Sequence, residues 1–67
     1  MRMKLVKLRE ETGLSQQALA DNIKISRSHY SQIETGDKDP SLKVGLRIKR
    51  VLKYQNDDIF FNSQRPE

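Results

Sequence analysis

Apolar residues along this chain recur at three- and four-residue intervals, interrupted by short polar stretches, which is the signature of helices packed on one face. Between Arg2 and Thr12, Leu5 and Leu8 stand three apart among charged neighbours, and Gly13 marks the end of a first helix. Ser15 is suited to cap a second helix, residues 16–22, on which Leu19, Ala20 and Ile23 share a face. Ile25 is an apolar residue in the break that follows. Ser26 caps a third helix from Arg27 to about Thr35, stopped by Gly36. Asp37 to Pro40 reads as a turn, and Ser41 caps a fourth helix from Leu42 to about Lys53. Asn56 opens a short last helix, with Asp57 and Asp58 at its positive end. No stretch alternates as a strand would. The pattern predicts an all-α fold of five helices over residues 1–62, followed by a frayed tail at 63–67.

Size narrows the picture. A chain of 67 residues holds one domain. A domain of that size buries only about 60% of its unfolded surface. There is no cysteine and a single histidine, His29, so neither a disulfide nor a zinc site staples the fold. Stability has to come from tight helix packing, with or without a partner chain. No apolar run reaches the roughly 18 residues of a membrane span, and Met1 to Lys7 lacks the apolar core of a signal peptide. The expectation is a complete, cytoplasmic protein with no membrane partner.

Charge adds a direction. The formal net charge is +4, but residues 24–53 hold eight basic against three acidic side chains, a net +5, while residues 54–67 hold one against three, a net −2. A basic block of this kind suits a polyanion, or simply a solvated surface. Catalytic signatures do not accompany it. The sequence has no phosphate-binding loop, no dinucleotide fingerprint and no H-E-x-x-H. His29 has no evident acid to orient it, and the adjacent Asp57 and Asp58 do not face each other on a helix. No enzyme activity, cofactor, metal or small-molecule ligand is expected.

The informative stretch runs from Gln16 to Gly36. Two short helices flank a turn of about three residues, Ile23-Lys24-Ile25, the layout of a helix-turn-helix whose second helix enters the DNA major groove. On that helix Tyr30 and Ile33 project one way, while Arg27, Ser28, Ser31, Gln32 and Thr35 project the other. The outer set contains no acid. Arginine can bond guanine and glutamine adenine through paired hydrogen bonds, and serine adapts to either. An ordinary solvent-facing surface would mix Glu with Lys.

The runs L-x-x-L-R-E-E-T-G-L-S-Q-Q-A-L-A (Leu5 to Ala20) and I-S-R-S-H-Y-S-Q-I-E-T-G-D-K-D-P-S-L (Ile25 to Leu42) resemble the Cro/lambda-repressor-type helix-turn-helix family, called XRE in bacteria and phages. The resemblance covers about residues 4–61. It implies a five-helix, lambda-repressor-like domain with the motif at helices 2 and 3. The implied function is a transcriptional regulator, most simply a repressor, binding double-stranded operator DNA as a homodimer. It further implies that Arg27, Ser28 and Gln32 read bases. Gln16, Gln17, Ser31, Thr35, Lys38 and Lys43 would contact the DNA backbone. Arg9 and Glu34 would form a structural pair tying helix 1 to the recognition helix. An antitoxin or a phage adaptor, acting mainly through protein contacts, is an alternative use of the same fold, and a monomeric nonspecific DNA binder is a third.

Several residues depart from the family pattern. Lys24 stands where glycine is usual, at a turn position that often needs positive φ. Tyr30 replaces an aliphatic residue and is expected in the core with its hydroxyl at the surface. In helix 4, Gly45 and Lys49 lie between Leu42, Leu46, Ile48 and Leu52, where apolar residues are usual; either the core is shallow there or the face meets something else. Lys43, Arg47 and Arg50 share another side of that helix, as a phosphate-facing or partner-facing patch or, for Arg47 and Arg50, a solubilising surface. His29 is expected packed or hydrogen-bonded. Ile59 and Phe60 should close the core, leaving Phe61 as a candidate dimer contact.

Overall fold

Local signals place the helix boundaries. In the computed structural model, which describes residues 1–60, the chain forms α1 (Met3–Thr12), α2 (Gln16–Ile23), α3 (Arg27–Thr35) and α4 (Leu42–Leu52). Serine caps the last three: Ser15 Oγ accepts the Ala18 N–H at 3.0 Å, Ser26 Oγ the His29 N–H at 3.0 Å, and Ser41 Oγ the Val44 N–H at 3.2 Å. Gly13 and Gly36 take the left-handed conformation that ends α1 and α3, with φ of 84° and 92°. Lys24 and Lys53 take it too, at 65° and 56°, without glycine's freedom.

Of the fifth helix expected from Asn56, only the first part lies within the described residues. Among the described residues there are four α-helices and no strand, and the chain after Asn56 makes one 3₁₀ turn, Asp58–Phe60. The two acids expected to favour a helix start are engaged elsewhere. Asp57 Oδ1 accepts from Lys49 Nζ at 2.6 Å, and Asp58 takes Lys4 Nζ at 2.6 Å and the Tyr54 hydroxyl at 2.9 Å. Phe61 and the tail at 63–67 lie outside the described residues.

The core draws on every element. Leu5, Leu19, Ala20, Ile23, Tyr30, Ile33 and Ile48 are completely buried, with Val44, Leu52 and Ile59 nearly so. Leu8, Leu14, Ile25, Val51, Tyr54 and Phe60 pack around them. α2 lies against both α3 and α4, and α1 packs on α3, α4 and the 3₁₀ turn. In α4 the inward stripe is Val44, Gly45, Ile48 and Leu52. Gly45 faces the Phe60 ring, whose nearest atom would be 3.5 Å from an added Cβ. Leu42 and Leu46 therefore point outward rather than flanking the core. Lys49 runs its stem along that edge and reaches Asp57, and Arg47 Nη1 donates to the Ile23 carbonyl at 3.3 Å. Arg47 thus ties α4 to the end of α2 and is not a free surface charge.

One anchor was not visible in the sequence. Arg2, which the charge pattern does not set apart from the other cations near the N-terminus, is 3% exposed. Its N–H donates to the Glu34 carbonyl at 2.8 Å, and its guanidinium donates to the carbonyls of Ile33, Lys38 and Phe60 and to the Asp39 carboxylate. A planar fork with five donors suits this cluster of acceptors. It fixes the end of α3, the loop after it and the 3₁₀ turn together. No helix among the described residues is long and apolar enough to cross a membrane.

Two outcomes follow for stability. Arg2→Ala strands several inward-facing carbonyls and should cost about 3 kcal/mol in urea unfolding, with Arg2→Lys giving little rescue. Lys24→Gly relieves the left-handed strain and should add about 0.5–1 kcal/mol in the same assay.

Candidate nucleic-acid interface

Helix α3 is built around an acid that points inward. Glu34 is the one acidic residue of α3 and is 1% exposed. Its Oε2 accepts from Arg9 Nε and from the Tyr30 hydroxyl, both at 2.6 Å, and its Oε1 accepts from Gln16 Nε2 at 2.8 Å. Arg9 Nη1 also donates to the Leu14 carbonyl at 2.7 Å. One carboxylate therefore joins α1, α2 and α3. A buried charge needs such compensation, because desolvating it unpaired is costly. Among the described residues no buried side-chain nitrogen or oxygen lacks a partner.

Tyr30 corrects an expectation. Its hydroxyl does not reach the surface; the whole side chain is buried and donates to Glu34. Burial first, then the bond to Glu34 and its charge, push the phenol far above its ordinary range. Burial works against the Arg9 charge, but the bond and charge of Glu34 outweigh it and raise its pKa.

With Glu34 turned inward, the outer side of α3 carries no negative charge. Arg27, Ser28 and Thr35 are exposed, and Ser31 and Gln32 are half-buried. The Thr35 hydroxyl donates to the Gln32 carbonyl at 3.1 Å. The loop folds back on the helix through the Lys38 N–H to the same carbonyl, also at 3.1 Å, leaving the Lys38 side chain exposed. Gln16 is brought to α3 by its bond to Glu34. Gln17 is exposed and bonds Asp21 within α2, at 2.8 Å, and Lys43 is exposed in the first turn of α4. His29 is half-buried, and its N–H completes the Ser26 cap. The first turns of α2, α3 and α4 hold no acid, so their positive ends are not neutralised from within. This suits phosphate oxygens.

Tyr30→Phe should cost about 1–2 kcal/mol and Glu34→Ala about 3–5 kcal/mol in denaturant unfolding. The tyrosine also has a pH signature. The folded state favours the protonated phenol, so its contribution is intact below the unfolded pKa of about 10 and declines as pH rises above it. Wild-type stability should fall in that alkaline range more steeply than that of Tyr30→Phe, measured by urea midpoints across pH.

Comparison with known proteins agrees with this geometry. The helix-turn-helix family model matches residues 5–55. YgzD of Bacillus subtilis (strain 168), an uncharacterized HTH-type transcriptional regulator, is 33% identical over 61 residues, covering 91% of this chain and 92% of that protein. MJ0272 of Methanocaldococcus jannaschii, named in the same way, is 37% identical over 60 residues, covering 90% and 91%. A third such protein, from Methanothermobacter thermautotrophicus, is 36% identical over 61 residues, covering 90% and 88%. No solved structure matches the chain. The family match over most of the sequence, joined to bacterial and archaeal relatives aligned almost end to end, means that this chain belongs to the XRE-type helix-turn-helix family.

Proposed function

We propose that the chain is a sequence-specific, double-stranded-DNA-binding transcriptional regulator, most simply a repressor, acting in the cytoplasm as a homodimer on a two-fold operator. The observation that carries this reading is the division of charge on α3. Its single acid is buried and matched by Arg9, while its outward side offers only donors and neutral polar groups. Arg27 and Ser28, in the first turn, and Gln32, one turn on, are the base-reading residues of this proposal. Gln16, Gln17, Ser31, Thr35, Lys38 and Lys43 hold the DNA backbone and set the register. In Gln16 one amide N–H is committed to Glu34, which orients the group and leaves its second N–H for a phosphate. Two-fold pairing would set half-sites about 34–36 Å apart, one DNA turn.

Measuring affinity over a panel of single-base operator variants tests the division of labour. Arg27→Ala should cost about 1–3 kcal/mol and flatten the preference at one base pair. Lys38→Ala should weaken all sequences alike and make the salt dependence shallower by about one phosphate contact. An Arg27→Ala protein weakened equally on every sequence contradicts base reading.

A further inference from the structure

The segment between α3 and α4 carries Lys38, yet residues 36–41 contribute nothing to the hydrophobic core. Apolar packing therefore does not hold Lys38 in place; hydrogen bonds do. Its N–H donates to the Gln32 carbonyl at 3.1 Å, which ties it to α3. Its carbonyl accepts from Arg2 Nη1 at 3.0 Å. The same nitrogen donates to the Ile33 carbonyl in the last turn of α3. One atom of Arg2 thus bridges the end of α3 and Lys38. Both peptide groups of Lys38 are held, and its side chain is left exposed.

Charge points the same way. Lys38 stands between exposed Asp37 and Asp39, so the segment by itself holds two acids against one base. A phosphate would meet a net negative surface there. The Arg2 guanidinium pairs with the Asp39 carboxylate from beneath, the two side chains being 4% and 90% exposed, and brings the local charges into balance. A single ammonium cannot span the Ile33, Lys38 and Phe60 carbonyls and the Asp39 carboxylate as the planar fork does. We propose that Arg2, itself buried away from any DNA, is a positioning residue for the Lys38 phosphate contact: it fixes where Lys38 stands relative to the outer side of α3. This rests on the reading of Lys38 as a DNA-backbone contact and adds the residue that places it.

The test compares salt dependences of binding to a labelled duplex selected from random DNA, each corrected for the folded fraction by circular dichroism. Lys38→Ala sets the scale, a dependence shallower by about one phosphate contact. Arg2→Met keeps the stem and the backbone N–H but removes every side-chain donor, and it should give the same shallower dependence. Adding Lys38→Ala to Arg2→Met should change it no further, because one contact cannot be lost twice. A purely structural Arg2 would lower the folded fraction and leave the salt dependence at the wild-type value, as the core truncation Leu52→Ala should. A second protein, Asp37→Lys with Lys38→Asp, exchanges the charges of two exposed neighbours and leaves every backbone bond available. It tests placement with Arg2 intact and should also bind with the shallower dependence. A wild-type salt dependence in the exchanged protein or in Arg2→Met overturns the role of Arg2 and leaves Lys38 as a backbone contact. If Lys38→Ala alone changes nothing, or no duplex is selected, the reading of Lys38 falls and the proposal falls with it.

Discussion

The buried Glu34 carboxylate is the constraint on which the rest of the structure turns. It sits in the last part of α3 and is reached by donors from three helices. Taking that charge out of water is worthwhile only when all its partners are in place. The position of α3 relative to α1 and α2 is thereby set by directional bonds as well as by apolar packing. Arg2 works on the same segment from the other side, holding the Ile33 and Glu34 carbonyls that end α3. In a chain of 67 residues with no disulfide, these two polar anchors supply the specificity that a thin core cannot.

That arrangement also explains the face presented outward. On the proposed reading, in which α3 faces DNA, an acid on its outer side would repel phosphate and compete for base donors. Turning the helix's only acid inward removes that conflict and uses the charge to align the motif. The bond from Gln16 makes the coupling concrete, because the same carboxylate that stabilises the fold orients a residue at the start of α2. Tyr30 adds a third donor to this site, so its hydroxyl belongs to the internal network and not to the outer face of α3.

Much of the fold was legible because its signals are local. Serine caps, glycine stops and the spacing of Leu19, Ala20, Ile23, Tyr30 and Ile33 set helix limits to within a residue or two. Lys24 was recognisable as a left-handed position because it stands where glycine is usual, and its φ of 65° agrees. What escaped the sequence depends on partners far along the chain. Arg2 looks like any surface cation until Phe60 and Asp39 are placed beside it. Leu42 and Leu46 look like core residues until Gly45 is placed against Phe60, on the side of α4 that faces inward, and the leucines are left exposed. The acids after Asn56 suggest a helix start, and what the sequence does not show is that Lys49 pairs with Asp57 and Lys4 with Asp58 at the entry to a 3₁₀ turn. The base-reading assignments rest on the exposure of α3 and on family resemblance.

Selection of bound sequences from a random pool of duplex DNA tests the central claim most directly. The account predicts a defined sequence with two inverted halves about one DNA turn apart, centre to centre. Recovery of unrelated sequences held only by salt-sensitive contacts, or of none at all, contradicts it.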